Sequence, residues 1–174
     1  MRTTLPLLLA IALGGCATSP TETVPPAAGI AGGNLPPAPP PVPDVVLRLK
    51  PDAGAAYIKK VADLPNSVVE VAKSALRSDR LEMADNGGNW ERYDVVYDDT
   101  LPFRRLIWAV EVQQHYVLHF EQGGMAYSTH FLVISPADSK GRRTLEWAAI
   151  SFKQARDLEG FLDSAKAGKL RFDP

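Results

Sequence analysis

The stretch that decides the fold runs from His115 to Ile134. It reads HYVLHFE over 115–121, then a Gly-Gly pair at 123–124, then MAYSTHFLVI over 125–134. Both runs are rich in aromatic and β-branched residues, which favour strands, and glycine tolerates the positive φ angles of tight hairpin turns. The pattern therefore predicts two antiparallel strands joined by a two-residue turn at Gly123 and Gly124.

A two-residue turn at these glycines also predicts the register of the hairpin. It sets Phe120 opposite Tyr127 and Tyr116 opposite Phe131, so one face is aromatic and apolar. The other face is then the polar, solvated one. That polar face carries all three histidines of the chain, which are His115, His119 and His130.

Further elements are predicted on both sides of this hairpin. Strand formers dominate 104–110 (RRLIWAV) and 143–152, which extends the hairpin to a four-stranded antiparallel meander. Helices are predicted over 55–62 and 66–78 before the sheet. A closing helix is predicted over 157–167, with Gly168 at the position that ends it. The fold class is therefore α+β, with N-terminal helices and a C-terminal helix packed on the meander.

Only part of the histidine set can share a metal ion. His115 and His119 are four residues apart, which on a strand is about 13 Å, whereas zinc–nitrogen bonds are about 2 Å. His119 and His130, with Glu121 as a third ligand, are the remaining candidates for a metal site. The competing interpretation treats the histidines as ordinary polar residues on a solvated face and requires no cofactor.

Other patterns allow both a binding and a structural interpretation. The segment 85–89 (DNGGN) is typical of a turn and lacks the ligand spacing of an EF-hand calcium loop. The aromatic residues could stack on sugars or fill the core, and the basic doublets could meet anionic envelope groups or be solvated edges. These residues are Trp90, Trp108, Trp147, Tyr93 and Tyr97, and the doublets Lys59-Lys60, Arg104-Arg105 and Arg142-Arg143.

The N-terminus has the pattern of a bacterial export signal. A basic Met1-Arg2 precedes the nine-residue apolar run 5–13, which is shorter than the roughly 20 residues of a membrane-spanning helix. The sequence Leu13-Gly14-Gly15-Cys16 follows, and it resembles the lipobox of bacterial lipoproteins. The resemblance implies a signal peptide over 1–15 and a mature N-terminal Cys16. That cysteine would carry diacylglycerol and an amide-linked acyl chain such as palmitate.

The resemblance also implies a location. In bacteria with two membranes, an aspartate after the lipidated cysteine retains a lipoprotein in the inner membrane, and this chain has Ala17 there. We therefore expect the periplasmic face of the outer membrane, with the acyl groups in the bilayer. Cys16 is the only cysteine, so a lipidated chain has no thiol left for a disulfide.

A proline-rich segment separates the cysteine from the rest of the chain. Nine of the fifteen prolines lie between Ala17 and Pro43, with one charged residue and few large apolar side chains. This composition predicts a disordered linker over 16–43 and a globular domain over 44–174. The proline run could also be a ligand for an aromatic groove in another protein.

Charge and motifs narrow the classes of function. Lys and Arg number 19 against 20 Asp and Glu, so no excess of positive charge indicates nucleic-acid binding. The chain has no G-x-S-x-G, no H-E-x-x-H and no phosphate-binding glycine loop. The favoured expectation is a non-catalytic interaction or envelope-assembly module with an envelope protein or peptidoglycan as partner. The alternative is a metal-dependent or hydrolytic envelope enzyme that uses the histidine face.

Overall fold

The computed structural model describes residues 41–52, 54–94 and 98–172, so the predicted signal peptide, Cys16 and the linker up to residue 40 lie outside the described residues. The helices are α1 (Asp44–Arg48), α2 (Asn66–Ala75) and α3 (Leu158–Lys166), with one 3-10 turn over Val61–Asp63. The strands are β1 (Tyr57–Ile58), β2 (Arg104–Val112), β3 (His115–Gln122), β4 (Ser128–Ile134), β5 (Leu145–Ser151) and β6 (Arg171–Phe172).

The strands form one antiparallel sheet in which spatial order equals chain order, β1-β2-β3-β4-β5-β6. The predicted α+β class and the four central strands are confirmed. The sheet is wider than predicted because β1 and β6 add two residues each at its edges. Strands this short carry no readable alternation, which explains why the sequence did not indicate them.

Helices cover the sheet on both faces. One core lies between the sheet and helices α1 and α3, and a second lies between the opposite face and α2. Strand β3 is buried on both sides from Tyr116 to Glu121. The prediction that one face of the hairpin is exposed to solvent is therefore wrong. Near-continuous apolar runs are typical of strands covered on both faces, and VLHF within β3 has that character.

The predicted hairpin register is also wrong. Phe120 pairs with His130 and Leu118 with Leu132, a shift of three residues from the predicted pairing. The connection between β3 and β4 spans residues 123–127 instead of two glycines. Because side chains alternate faces along a strand, an odd shift moves every β4 side chain to the other face.

Gly123 is needed for close backbone approach and not for a tight turn. A Cβ at this position would lie 2.3 Å from the carbonyl oxygen of Glu91 and 2.8 Å from that of Arg92. The amide of Gly123 donates to the carbonyl of Phe103, and the amide of Gly124 donates to the carbonyl of Arg92. The glycine pair therefore packs against segment 91–92, and the hairpin closes beyond it.

This packing predicts that Gly123→Ala destabilises the protein by about 1–3 kcal/mol, since the backbone of segment 91–92 must shift to admit a methyl group. The matched control is Gly160→Ala in α3, where the nearest atom to a new Cβ is 3.4 Å away. The control should be neutral or stabilising by about 0.5–1 kcal/mol, because alanine favours helix. Urea unfolding of both variants measures the difference, and equal stability of the two would contradict this role for Gly123.

The helix predictions have mixed outcomes. Helix α2 begins at the predicted Asn66 and ends at Ala75, near the predicted end. The helix predicted over 55–62 is wrong, because residues 57–58 pair with the edge of β2 as strand β1. The closing helix is confirmed as α3.

A side chain caps the N-terminus of α3, and backbone amides cap its C-terminus. The carboxylate of Asp157 accepts a hydrogen bond from the amide of Gly160 at 2.9 Å. Gly168 has φ +63°, and the amides of Gly168 and Lys169 bond back to the carbonyls of Ala165 and Ser164. This is the Schellman arrangement, and it confirms the predicted role of Gly168.

The outer edge of β2 is covered in two places. β1 pairs with residues 109–110, and Ala84 lies beside Arg105 in an isolated parallel bridge. Between them, the pairing of β2 with β3 shifts by one residue at Ile107, which is a β-bulge. The predicted turn at 85–89 is confirmed just after this bridge, where the amide of Gly88 donates to the carbonyl of Asp85.

Within the described ranges, no helix has both the length and the apolar character needed to cross a bilayer.

Candidate functional site

The three histidines do not share a face. His119 lies on the side of the sheet that faces α3, where its ring stacks on Phe131 with centroids 4.1 Å apart. His130 lies on the side that faces α2 and stacks on Phe120 at 5.1 Å. The prediction of one histidine face is therefore wrong, and its cause is the shifted register of β4.

His119 is fully buried, and both of its ring nitrogens are engaged by backbone groups. Nε2 accepts a hydrogen bond from the amide of Ala155 at 3.1 Å, so Nδ1 carries the ring hydrogen and donates to the carbonyl of His130 at 3.1 Å. Burial lowers the pKa of His119 to about 4, partly opposed by the hydrogen bond to the His130 carbonyl. A neutral imidazole in this position ties β3 to β4 and to the segment before α3.

His130 and His115 also have partners inside the fold. Nε2 of His130 lies 2.9 Å from the hydroxyl of Ser128, and the residue is 5% exposed. His115 begins β3, where its Nε2 lies 3.2 Å from the carboxylate of Glu146 and its Nδ1 lies 3.0 Å from the carbonyl of Gln113. Each histidine therefore occupies a separate environment.

Glu121 is the centre of a polar cluster at the end of β3, and it is only 2% exposed. One carboxylate oxygen accepts from Nε of Arg105 at 2.7 Å and also pairs with its Nη2. The other accepts from the hydroxyl of Tyr127 at 2.8 Å and from the side-chain amide of Gln154. We call these four residues the Glu121 cluster. Its carboxylate is saturated by donors from β2, the β3–β4 loop and the segment after β5.

Aromatic stacking closes the Glu121 cluster toward solvent. The guanidinium of Arg105 lies 5.1 Å above the ring of Trp90, and that of Arg92 lies 4.8 Å above the ring of Tyr127. Burial is the main cause that raises the pKa of Tyr127, followed by its hydrogen bond to Glu121. The Tyr127 hydroxyl therefore stays protonated as a donor, and the cluster has the character of a structural network.

The candidate metal ligands are thus not assembled into a metal site. His119 and His130 lie on opposite faces, and the oxygens of Glu121 are occupied by Arg105, Tyr127 and Gln154. In the part of the chain that the structure describes, no group of three or more His, Cys, Asp or Glu side chains is placed to hold a metal ion. The residues of the predicted enzyme alternative serve the packing of the sheet.

Several of the other residues that the sequence singles out have contacts within the fold. Oδ1 of Asp85 accepts from the amide of Val61 at 2.7 Å, so the DNGGN turn uses its carboxylate internally. Trp108 and Trp147 are buried in the core on the α3 side. Trp90 packs against Tyr127 of the Glu121 cluster, Tyr93 is 61% exposed, and Tyr97 lies outside the described residues.

A groove of about 680 Å³ lies between α2 and the chain that leads into β5. One wall is α2 and the other is 141–145. The walls are mainly apolar, with hydroxyls, two arginines and Glu70 at the rim, and the Glu70 carboxylate pairs with Lys73 at 2.9 Å. The residues that shape it most are Ser67, Val71, Ser74 and Ala75 of α2, with Arg142, Arg143, Thr144 and Leu145 opposite.

Arg143 is fixed at the rim of this groove without a carboxylate partner among the described residues. Its Nη1 donates to the carbonyls of Gln114 and Ser135 at 2.7 Å each, and its guanidinium lies 4.8 Å above the ring of Tyr116. Its Nε is buried and has no hydrogen-bond partner in the described part of the chain. Arg142, by contrast, pairs with Asp138 at 2.8 Å.

Sequence reasoning singled out the Arg142-Arg143 doublet but not the groove. The doublet was visible as a charge pattern, whereas the opposite wall is α2, more than sixty residues earlier in the chain. Val68, Val71, Ala72, Ala75 and Leu76 fall on one stripe at helical spacing, which predicts a buried face. Nothing in this stripe indicates that Val71 and Ala75 line an open groove.

No protein-family model matches this chain. No curated protein matches it significantly, and no solved structure does so either.

Proposed function

We propose that this protein is a lipid-anchored, non-catalytic interaction module on the periplasmic face of the outer membrane of a bacterium with two membranes. The anchor is Cys16, the linker is 16–43, and the domain over 44–174 binds an envelope partner. The observation that carries the binding role is the groove between α2 and residues 141–145. The polar residues buried in the sheet are engaged within the fold, whereas this groove presents recognition groups to solvent.

The anchor is supported by the lipobox resemblance at Leu13–Cys16 and by Ala17 after it. Two or three acyl chains hold a protein on a bilayer almost permanently, because each buried CH₂ contributes about 0.8 kcal/mol. Mass spectrometry of protein extracted from cell membranes tests this part directly. We expect a mature chain that begins at Cys16 and carries the mass of three acyl groups. A free thiol, or a terminus elsewhere, would remove the anchor from the proposal.

The groove favours a protein segment that presents one apolar side chain next to a carboxylate. Val71, Ala75 and Leu145 supply the apolar surface. Arg143 supplies a positive charge that backbone carbonyls orient and no described carboxylate neutralises. Arginine suits carboxylates because its planar donors match their geometry. We therefore assign the groove to an acidic, apolar segment of an envelope protein.

A pair of exposed leucines allows a matched test in cells. Leu145 in the groove is 40% exposed, and Leu47 on α1, which packs on the other side of the sheet, is 36% exposed. A photo-crosslinking residue at position 145 should capture a specific envelope protein, and the same residue at 47 should not. The captured protein should then bind the purified chain, and Leu145→Asp should weaken its affinity at least tenfold, whereas Leu47→Asp should leave it unchanged.

The outcomes separate the possible partners. Equal capture at both positions, or binding that Leu145→Asp does not weaken, would overturn the groove as the partner site. Capture of peptidoglycan strands instead of protein would overturn the assignment of the groove to a segment of an envelope protein. Because the crosslinking does not depend on how the chain is anchored, its result and the mass-spectrometric result can fail separately.

A further inference from the structure

A second pocket opens at the outer edge of β2, in the gap between the two segments that cover this edge. β1 covers residues 109–110 and the segment at Ala84 covers Arg105, which leaves the bulge at Ile107 between them. A pocket of about 430 Å³ lies in this gap. Its lining residues are Tyr57, Lys59, Asn86, Ile107, Trp108 and Arg156. We call it the edge pocket.

The aromatic wall of the edge pocket is held rigidly. The ring of Tyr57 packs edge-on against Trp108 with centroids 5.7 Å apart, and the indole N–H of Trp108 donates to the carbonyl of Ala155 at 2.9 Å. The hydroxyl oxygen of Tyr57 accepts from the amide of Leu158, at the start of α3. Tyr57 is nevertheless 38% exposed, so its ring offers a flat apolar surface to a ligand.

The opposite wall is held by Asn86. Its side-chain NH₂ donates to the carbonyl of the bulged Ile107 at 2.6 Å, and its backbone amide donates to the carbonyl of Lys59 at 2.9 Å. These two bonds fix the position of the Lys59 backbone relative to β2. The side-chain oxygen of Asn86 accepts no hydrogen bond from the described residues, so it remains available as an acceptor for a ligand hydroxyl.

The edge pocket is positively charged. Lys59 and Arg156 are both exposed, and neither forms a salt bridge within the described ranges. No acidic side chain lines the pocket. Asp157, next to Arg156, is engaged in capping the amide of Gly160. The Tyr57 hydroxyl hydrogen is a further donor, because its oxygen already accepts from Leu158.

We propose that the edge pocket binds an acidic sugar, that is, a sugar ring bearing a carboxylate or a phosphate. Lys59 and Arg156 contact the anionic group, the apolar face of the ring stacks on Tyr57, and Asn86 accepts from a ring hydroxyl. Charge-assisted bonds to two cations give the anion most of the affinity. The site is separate from the groove in the proposed function, and it does not depend on that function.

Carboxylated sugars occur in cell-wall glycans and phosphorylated sugars in lipid headgroups, so the test has one arm for each. The probes are N-acetylmuramic acid, glucosamine 1-phosphate, neutral N-acetylglucosamine and inorganic phosphate, titrated into the purified chain. Binding is measured by NMR on the indole N–H of Trp108 and the backbone amide of Asn86. We expect at least one acidic sugar to bind with a Kd on the order of 1 mM, about tenfold or more tighter than the neutral sugar and inorganic phosphate.

The decisive variant is Lys59→Gln combined with Arg156→Gln, because both side chains are exposed and neither holds the pocket walls. This double variant should lower the affinity for the acidic sugar at least tenfold and leave the melting temperature of the protein unchanged. The control combines Lys140→Gln with Lys166→Gln, two exposed cations outside the pocket, and should leave binding unchanged. The acidic probe that binds with the higher affinity identifies the source of the ligand, which is a cell-wall glycan for N-acetylmuramic acid and a lipid headgroup for glucosamine 1-phosphate.

Three results would overturn the assignment. The first is equal binding of neutral and acidic sugars, which would remove the role of the two cations. The second is equal binding of inorganic phosphate and the acidic sugars, which would remove the role of Tyr57 and Asn86. The third is that neither acidic sugar binds at concentrations well above the expected Kd, or that the double variant leaves the binding intact.

Discussion

Replacing the buried Glu121 with alanine is expected to lower the free energy of unfolding by about 2 kcal/mol, because it removes the acceptor that three side-chain donors share. The Arg105 guanidinium, the Tyr127 hydroxyl and the Gln154 amide all converge on this carboxylate. Arg105 is partly exposed and can recover some hydration, whereas the tyrosine and glutamine bonds also hold the β3–β4 loop to the segment after β5. We therefore expect the loss of stability to be accompanied by loosening of that end of the sheet.

Glu146 provides the control for this prediction. Its side chain is 26% exposed, and its carboxylate pairs with His115 alone among the described residues. A single, partly solvated pair of this kind contributes up to about 1 kcal/mol, so Glu146→Ala should be nearly neutral. Urea unfolding of the two variants beside the parent chain gives both values. A cost below about 1 kcal/mol for Glu121→Ala would show that the cluster is not a structural network.

Acidification is expected to weaken the fold through His119. The pKa of this histidine is lowered from 6.5 to about 4, chiefly by burial, while the unfolded chain retains the ordinary value. Between pH 6.5 and 4 the unfolded chain therefore binds a proton that the folded chain does not. The free energy of unfolding must then fall as the pH falls through this window. A tenfold difference in proton affinity is worth about 1.4 kcal/mol, so His119 alone should account for roughly 3 kcal/mol by pH 4.

His119→Phe isolates this contribution from that of the carboxylates. Phenylalanine preserves a ring to stack on Phe131 but cannot bond the His130 carbonyl or the Ala155 amide. The variant should be less stable than the parent at pH 7, and its stability should depend less on pH between 6.5 and 4. Val117→Ala, which destabilises the same core without changing a titratable group, is the control and should keep the parent's pH dependence. Parallel pH profiles for parent and His119→Phe would contradict the assignment.

The sequence predicts the elements of this fold better than their pairing. Strand composition and caps are local signals, and Asp157 and Gly168 bracket α3 as expected. The hairpin register depended on how Gly123 and Gly124 are used, and that depends on a contact with segment 91–92, about thirty residues earlier. A glycine that admits a neighbouring backbone looks the same in sequence as one that makes a turn.

The candidate site was less predictable because it depends on which sheet faces are covered. The hairpin alternation places the histidines on a polar, solvated face, whereas helices cover both faces of the sheet and bury His119 and His130. Both cavities combine side chains from distant segments, such as Tyr57 with Arg156 and Val71 with Leu145. Only the basic doublets gave a sequence signal for these surfaces.

The agreement between strand order and chain order has a consequence for how the domain folds. The central strands β2 to β5 each pair with the next strand across a connection of ten residues or fewer, so closing these loops costs little entropy and the contact order of the central meander is low. Contacts between the ends of the domain, such as α1 against α3, span over a hundred residues. We therefore expect rapid zipping of the meander, followed by a slower step in which α3 docks and joins the first segment of the domain to the last.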